Sequence, residues 1–172
     1  MTDTQLKKVS LLLLDVDGVL TTGQVIYDDA GQETKVFDVR DGLGIRMLKE
    51  AGIEVGIVTG RRSMALVHRC RNLNISLLKD GIRDKASALE EILQVTGIPA
   101  SATAFMGDDL PDLPILKRVG VPIAVNDAHE LVKNSAVITT RAKGGCGAVR
   151  EISERILRAR GDWQPLVERL FS

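Results

Sequence analysis

Short apolar runs of strand length alternate along this chain with segments whose apolar residues recur every three or four positions. The apolar runs occupy residues 9–14, 53–58, 75–78, 103–106, 121–125 and 136–138. The helical patterns occupy residues 41–51, 63–72, 85–96, 111–119 and 148–159. These two periods distinguish strands from amphipathic helices. Alternating strands and helices form βαβ units, so the sequence predicts an α/β, Rossmann-like fold: a doubly wound, mostly parallel sheet with helices on both faces.

A pair of carboxylates, Asp15 and Asp17, follows directly on the first apolar run and precedes Gly18. Unpaired carboxylates are costly to bury, but they are tolerated where a strand ends beside a cation. The carboxyl edge of an open parallel sheet is also where ligands bind. The pair therefore indicates a site that holds a metal ion, with a simple strand-closing turn as the plainer alternative.

Residues 23–37 break the alternation of strands and helices. They predict two short strands, 24–27 and 34–37, joined by a turn at residues 28–31. This hairpin, which we call the flap, leaves the loop directly after the carboxylate pair. We therefore expect the flap to lie over the same edge of the sheet.

Two further segments after strands carry groups suited to an anion. Thr59, Gly60 and Arg61 precede a helix, whose N–H groups favour a phosphate, and the hydroxyl and guanidinium groups can complement it. An N-capped helix with solvated arginines is the plainer alternative. Lys85 begins another helix, where the helix dipole disfavours a cation, so a nearby anion should compensate it. A surface lysine is the plainer alternative there.

Three acidic residues within five positions, Asp108, Asp109 and Asp112, follow the apolar run 103–106. Carboxylates this close repel one another unless they share a cation. Asp108 is best placed to complete an oxygen shell with Asp15 and Asp17, which leaves positions for water and a phosphate oxygen, as Mg²⁺ prefers. The chain has only two histidines, which also favours oxygen ligands.

Length and composition limit the class of protein. A chain of 172 residues suits one domain, residues 1–172. Lys+Arg and Asp+Glu balance at 23 each, so no global charge attracts nucleic acid or an anionic membrane. We expect a soluble, cytoplasmic protein, because the apolar runs are shorter than a membrane span and no cleavable leader is recognised. Cys70 and Cys146 form no Cys-x-x-Cys pair, which argues against a zinc knuckle or redox pair. Within the terminal tail, about residues 161–172, the segment 163–171 suits a docking helix or a flexible tail equally.

The motifs Asp-x-Asp-Gly, Thr-Gly, Lys and Gly-Asp-Asp-x-x-Asp follow one another between residues 15 and 112. This ordered set resembles the haloacid dehalogenase superfamily of phosphatases. The resemblance implies that Asp15 is the nucleophile and Asp17 the general acid and base. It also implies that Thr59 and Lys85 hold the transferring phosphoryl oxygens. The implied Mg²⁺ ligands are Asp15, the backbone carbonyl of Asp17, and Asp108, with Asp112 orienting the shell.

The chain has no room for the cap domain that usually closes over the site in this superfamily. Asp17 and Thr59 are 42 positions apart, and Thr59 and Lys85 are 26 apart. The flap and one helix fill the first interval, and a helix and a strand fill the second. An open site of this kind needs either a large substrate or a lid from a neighbouring subunit.

Five further segments point to one family within this superfamily: residues 38–44, 58–61, 80–85, 107–112 and 144–151. Together they look like the capless phosphatases of 3-deoxy-D-manno-octulosonate (Kdo) 8-phosphate, a sugar acid phosphate used in making lipopolysaccharide. The resemblance implies a homotetramer whose flaps form a central barrel and whose subunits cover each other's sites. The positions that it implies for substrate binding are Asp17, Asp38, Val39, Arg40, Asp41, Gly42, Arg46, Gly60, Arg61, Arg69 and Lys85. For Arg46 and Arg69 a polar helix face is the plainer alternative.

One position departs from the pattern of the family, because Cys146 stands where the glycine-rich segment often carries arginine. The departure leaves open a phosphatase of nine-carbon nonulosonate 9-phosphates. Two alternatives of another class are a receiver-like module, which holds a signalling aspartyl phosphate, and a catalytically silent phosphate-binding domain. Receiver sites lack a general acid in the position of Asp17, and the intact set Asp15, Asp17, Lys85 and Asp108 argues against silence.

Overall fold

Six parallel strands form the central sheet of the computed structural model, which describes residues 2–171. A separate antiparallel pair, β2 and β3, forms the flap. The sheet has the order β5-β4-β1-β6-β7-β8, and all its neighbouring strands are parallel. This confirms the predicted fold class. In chain order the strands are β1 (Leu11–Leu14), β2 (Ile26–Tyr27), β3 (Glu33–Thr34), β4 (Glu54–Val58), β5 (Leu77–Lys79), β6 (Thr103–Gly107), β7 (Val121–Ala124) and β8 (Ile138–Thr139).

The central strand β1 consists of four fully buried leucines. A strand that is covered on both faces needs a continuous apolar run rather than an alternating one, and this segment supplies it. Its last residue, Leu14, lies opposite Ile57 of β4 on one side and Met106 of β6 on the other. The loops that follow these three strands therefore leave the sheet side by side at one edge.

Helices cover both faces of the sheet. Helices α1, α2, α7 and α8 are joined by mutual contacts into one group, and α4, α5 and α6 form another. Right-handed crossovers between parallel strands place these groups on opposite faces. In chain order the helices of the described residues are α1 (Thr2–Leu6), α2 (Val39–Glu50), α3 (Met64–Asn72), α4 (Lys85–Thr96), α5 (Leu113–Leu116), α6 (Glu130–Ser135), α7 (Ala148–Arg160) and α8 (Trp163–Phe171).

Helix α4 has the predicted bounds because both of its ends carry strong local signals. The side chain of Asp84 accepts hydrogen bonds from the backbone N–H groups of Ala86 and Ser87, which caps the first turn. Gly97 ends the helix in the left-handed conformation, with φ of 68°. The capped first turn fixes where Lys85 enters the site.

The helix predicted over residues 111–119 is wrong in extent. A 3₁₀ turn spans Leu110–Asp112, and α5 covers only Leu113–Leu116. The carboxylate of Asp112 accepts hydrogen bonds from the backbone N–H groups of Asp108 and Asp109, which holds the chain in a tight turn before the helix begins. The sequence analysis also missed α1 and α6, which are too short to show a helical period. The predicted strands of the sheet differ from the observed ones by one or two residues at their ends.

The flap is present, but its strands are shorter than predicted and contain only two residues each. The side chain of Asp28 accepts hydrogen bonds from the N–H groups of Ala30 and Gln32 and closes the turn. The described elements between β1 and α2 are those of the flap alone, and those between β4 and β5 are α3 alone, so no cap domain is inserted there. The flap exposes apolar side chains to solvent: Val25, Ile26, Tyr27 and Val36.

The carboxyl-terminal segment forms a docked helix, one of the two predicted alternatives. Leu166 of α8 is buried, and the ring of Trp163 lies 4.4 Å from the guanidinium carbon of Arg158 on α7. Ser172 lies outside the described residues. Among the helices of residues 2–171, none has the length and hydropathy needed to cross a bilayer.

Candidate active site

The loops that leave the carboxyl edge of the sheet line a cavity of about 350 Å³. Its walls include eight of the residues that the sequence analysis predicted for the site: Asp15, Asp17, Thr59, Gly60, Arg61, Lys85, Asp108 and Asp112. A hollow of about 560 Å³ lies at the opposite edge of the sheet, and Glu54 is the only charged side chain among the described residues that line it. Of these two cavities, the one at the carboxyl edge therefore carries the charged groups that the sequence predicts for the site.

Three carboxylates and one ammonium group form what we call the acidic cluster. Oxygens of Asp15, Asp108 and Asp112 all lie within 4.8 Å of one another. The Nζ of Lys85 lies 3.0 Å from Oδ1 of Asp15 and 2.5 Å from Oδ1 of Asp112. The sequence predicts an anion beside Lys85, because the helix dipole disfavours a cation at the start of a helix. The structure shows two such anions, the carboxylates of Asp15 and Asp112.

Burial and mutual repulsion make ionisation of the acidic cluster costly. Burial, opposed in part by Lys85, raises the pKa of Asp15 to about 6. Burial, together with the charges of Asp15 and Asp112, raises the pKa of Asp108 to about 8. Burial opposes the charge of Lys85, but the two neighbouring carboxylates outweigh it and raise the pKa of its ammonium group. A further cation beside Asp108 would relieve the repulsion.

The donors of the acidic cluster fit Mg²⁺. Oδ1 of Asp108 is buried without a hydrogen-bond donor among the described residues, and Oδ1 of Asp15 faces the Nζ of Lys85 at 3.0 Å. Carboxylate oxygens are the ligands that Mg²⁺ prefers. Gly18 makes the approach of Asp108 possible, because a Cβ at this glycine would lie 2.0 Å from Oδ2 of Asp108. The side chain of Asp17 lies outside this cluster, and the prediction for Asp17 concerned its backbone carbonyl.

Thr59 lies where β4 ends and is buried. Its Oγ1 accepts a long hydrogen bond of 3.4 Å from the backbone N–H of Arg61. Its own N–H donates to the carbonyl of Lys79 in the neighbouring strand. One contact therefore holds the hydroxyl and the other holds the backbone of Thr59, which together place this residue at the wall of the cavity.

The side chain of Asp17 takes part in a second arrangement, which we call the flap ring and which comprises Asp17, Glu33, Lys35 and Arg61. Lys35 donates a short hydrogen bond to Oδ1 of Asp17 and lies 2.8 Å from Oε1 of Glu33. Arg61 donates to Oε2 of Glu33 at 2.5 Å, and its Nε lies 3.6 Å from Oδ2 of Asp17. Burial opposes the charge of Lys35, yet Asp17 and Glu33 raise its pKa.

The sequence analysis missed Glu33 and Lys35 as site residues. A signal was available, because the two residues are two positions apart in a predicted hairpin and therefore point to the same face. That hairpin was also expected over the site. A lysine on that face can pair with Asp17, and a glutamate on it can pair with Arg61.

The predicted substrate-binding residues of α2 and α3 do not line this cavity within one chain. Asp38 caps α2 by accepting from the N–H of Arg40, and its carbonyl accepts from Arg69 at 3.1 Å. Asp41 is buried and accepts from the N–H of Arg150 at 2.8 Å. The other predicted substrate-binding residues of α2 also lie outside the cavity: Gly42 is buried in the helix, and Val39 and Arg46 are exposed on it.

The glycine-rich segment that contains Cys146 packs against the loop of the carboxylate pair. The N–H of Gly145 donates to the carbonyl of Val19 at 2.8 Å, and a Cβ at Gly144 would lie 1.7 Å from the carbonyl oxygen of Gly18. Cys146 is exposed, and its carbonyl accepts from Arg40. This segment therefore contacts the site loop of its own chain.

Comparison with known proteins gives consistent matches. The sequence model of the haloacid dehalogenase-like hydrolases matches residues 71–151. The 3-deoxy-D-manno-octulosonate 8-phosphate phosphatase KdsC of Escherichia coli (strain K12) is 43% identical over 155 residues, which cover 90% of this chain and 82% of that protein.

Solved structures of phosphatases match this chain as well. The Moraxella catarrhalis enzyme of the same name, in complex with magnesium, phosphate and Kdo, has a TM-score of 0.95 and 40% identity, and the match covers 97% of this chain and 96% of the other. The cobalt-bound Haemophilus influenzae phosphatase has a TM-score of 0.90 and 42% identity, with coverage of 92% and 93%. In both matches the sequence identity is 40% or more, which is higher than the same fold alone requires.

Proposed function

This chain belongs to the family of 3-deoxy-D-manno-octulosonate 8-phosphate phosphatases in the haloacid dehalogenase superfamily, and on that basis we propose that it hydrolyses Kdo 8-phosphate to Kdo and inorganic phosphate with Mg²⁺. The reaction is a phosphoric monoester hydrolysis in the synthesis of lipopolysaccharide precursors. The observation that carries the proposal is the acidic cluster at the carboxyl edge of the sheet, beside Thr59 and a free oxygen of Asp17.

Two carboxylates divide the chemistry between them. Asp15, whose pKa of about 6 leaves it ionised at neutral pH, attacks the phosphorus as the ester P–O bond breaks. Asp17 gives its proton to the departing sugar oxygen. Asp17 then takes a proton from the water that attacks the aspartyl phosphate, so inorganic phosphate leaves and both carboxylates return to their first state.

Positive charge around the cavity stabilises the phosphoryl group in transfer. Lys85 lies against Asp15 and offsets the charge of the incoming phosphate, and the hydroxyl of Thr59 and the guanidinium of Arg61 complete the wall. Asp15, Asp108 and Asp112, with the backbone carbonyl of Asp17, would hold or orient Mg²⁺. When bound, the ion supplies charge that stabilises the phosphoryl oxygens and allows three carboxylates to remain ionised together.

The test is a kinetic panel of sugar acid phosphates with the wild type and Asp15→Asn. We expect Mg²⁺-dependent phosphate release that is fastest from Kdo 8-phosphate and falls by more than about 10³-fold in the variant, because the attacking group is removed. Full activity of Asp15→Asn would contradict the mechanism. Faster turnover of a nonulosonate 9-phosphate would support the alternative that Cys146 suggests. Absence of ester hydrolysis would favour a receiver-like or silent module.

The same proposal includes a cytoplasmic homotetramer built from chains that each form one hydrolase domain, residues 1–172. It is supported by the apolar side chains that the flap exposes and by the position of Arg46 and Arg69 outside the cavity of their own chain. Deletion of residues 23–35 should dissociate the assembly and abolish turnover, as light scattering and phosphate release would report. An active monomer would contradict the shared site.

A further inference from the structure

The side chain of Lys35 is nearly enclosed although it belongs to a short surface hairpin. It is 3% exposed, and its ammonium group contacts Oδ1 of Asp17 and Oε1 of Glu33. An ammonium group loses hydration when it is enclosed, and the loss is tolerated only where anions replace the water. Solvated lysines on hairpins have no such requirement. The enclosure of Lys35 therefore depends on Asp17, which lies in the loop after β1.

The two oxygens of Asp17 differ in their contacts. Oδ1 accepts the hydrogen bond from Lys35, whereas Oδ2 is buried and accepts none from the described residues. The Nε of Arg61 lies 3.6 Å from Oδ2, a distance beyond hydrogen-bond reach. One oxygen is thus held by Lys35, and the other has no hydrogen-bond donor among the described residues, so it can carry a proton.

The other members of the flap ring hold Lys35 in turn. Glu33 pairs with Lys35 through one oxygen and with Arg61 through the other, and Arg61 also donates to the hydroxyl of Tyr27 at 3.2 Å. Two carboxyl groups and two cations alternate around the ring. Because Glu33, Lys35 and Tyr27 all come from the flap, the position of the flap determines how the Asp17 carboxylate is oriented.

We propose that Lys35 is a positioning residue for the acid and base Asp17, holding Oδ1 so that Oδ2 is the oxygen that gives the proton to the leaving sugar and later accepts it from water. The inference rests on the proposed function, since it assigns Asp17 the proton transfers. It gives the flap a part in the chemistry of its own chain, separate from any part in assembly.

Leaving groups of different basicity separate this role from a structural one. The alkoxide of a sugar needs the proton of Asp17, whereas 4-nitrophenolate leaves readily without it. In Lys35→Met, the single-turnover rate of alcohol release should therefore fall about 10-fold for Kdo 8-phosphate, a part of what a general acid contributes, and less than about 2-fold for 4-nitrophenyl phosphate. Lys35→Arg, which can still bridge Asp17 and Glu33, should recover most of the lost rate.

The controls are a matched lysine substitution, a measurement of the assembly and an alternative substrate. Lys117→Met removes an exposed lysine far in sequence from the flap and should match the wild type. Light scattering should give Lys35→Met the mass of the wild type. If the wild type hydrolyses another alkyl phosphate but not Kdo 8-phosphate, the proposed substrate is wrong and the Lys35 comparison is made with that ester.

Three results would overturn the inference. Equal losses for the alkyl and aryl esters would show that Lys35 does not act through proton transfer. A higher KM with unchanged single-turnover rates would assign Lys35 to substrate binding. A wild type that hydrolyses neither kind of ester would overturn this inference together with the proposed function.

Discussion

Asp15 and Asp17 are two residues apart, yet their carboxylates lie in opposite charge environments. Asp15 belongs to the acidic cluster, where three carboxylates face the single ammonium of Lys85. Asp17 belongs to the flap ring, where two carboxylates face Lys35 and Arg61. The first arrangement has more carboxyl groups than cations, so it takes up a proton or a further cation, whereas in the second the two cations match the two carboxyl groups in number.

This difference separates two functions that the same residue type can serve. A cluster with excess negative charge at the end of buried strands recruits a divalent ion, and its geometry is fixed by the sheet. A ring built partly from a hairpin, in which two cations match two carboxyl groups, needs no ion, and we propose that it orients the proton-transferring group Asp17 instead. Variants that alter charge should therefore affect the two regions very differently.

The largest effect on stability should come from removing the one cation of the acidic cluster. In Lys85→Met, the buried carboxylates of Asp15 and Asp112 lose the ammonium group that pairs with both, so the free energy of unfolding measured by urea in EDTA should fall by about 3 kcal/mol. The matched control is Lys79→Met, which breaks an exposed pair with Glu91 and should cost less than about 1 kcal/mol. Equal effects of the two substitutions would contradict the charge account of the cluster.

An effect of intermediate size should appear when pH is varied without Mg²⁺. The pKa of Asp108 is about 8 in the folded state, well above its ordinary value of 3.8. Between these values the folded protein holds a proton that the unfolded chain has lost, so stability falls as pH rises and levels off above pH 8. Linkage over these three pH units gives at most about 4 kcal/mol, and because Asp108 is only partly buried and solvent screens the repulsion we expect a loss of about 2 kcal/mol between pH 5 and pH 8 in EDTA.

Mg²⁺ should remove most of that pH dependence, because the ion stabilises the ionised form of Asp108. Asp108→Asn provides the control and should give a flatter profile in EDTA. Urea unfolding at fixed ionic strength measures both profiles. Stability that rises with pH in the metal-free wild type would have the wrong sign for this account.

The smallest effect should follow from a change in the flap ring. Glu33→Gln removes one of its carboxylates, but Lys35 keeps its partner Asp17 and the other partner of Glu33, Arg61, is partly exposed to solvent, so the free energy of unfolding should change by less than about 1 kcal/mol. Mg²⁺ binding should not change. A loss of several kcal/mol would mean that the flap ring, like the acidic cluster, is essential to the fold.

The acidic cluster could be predicted from the sequence because each of its parts follows a local rule. Asp15 and Asp108 directly follow apolar strands, and parallel strands that pair in register deliver their next residues to one edge. Lys85 was recognisable by the conflict between its charge and the helix dipole. Agreement between these independent signals predicted that these side chains converge at one edge of the sheet, as they do in the structure.

The flap ring could not be predicted in the same way, because it depends on how a hairpin docks on the sheet. Lys35 is 18 positions from Asp17, and no periodic pattern relates the two. The extent of α5 was wrong for a similar reason, since the hydrogen bonds from Asp108 and Asp109 to Asp112 override a helical pattern. Side-chain contacts of this kind are decided by tertiary packing rather than by propensity.

Titration calorimetry with Mg²⁺ tests the central difference between the two regions most directly. At pH 8 the wild type and Lys35→Met should each bind one Mg²⁺ per chain with the same affinity. Binding by Asp108→Asn should be weaker by at least about 100-fold, because a ligand of the ion is lost. Unchanged affinity in Asp108→Asn, or an equal loss in Lys35→Met, would contradict the assignment of the ion to the acidic cluster.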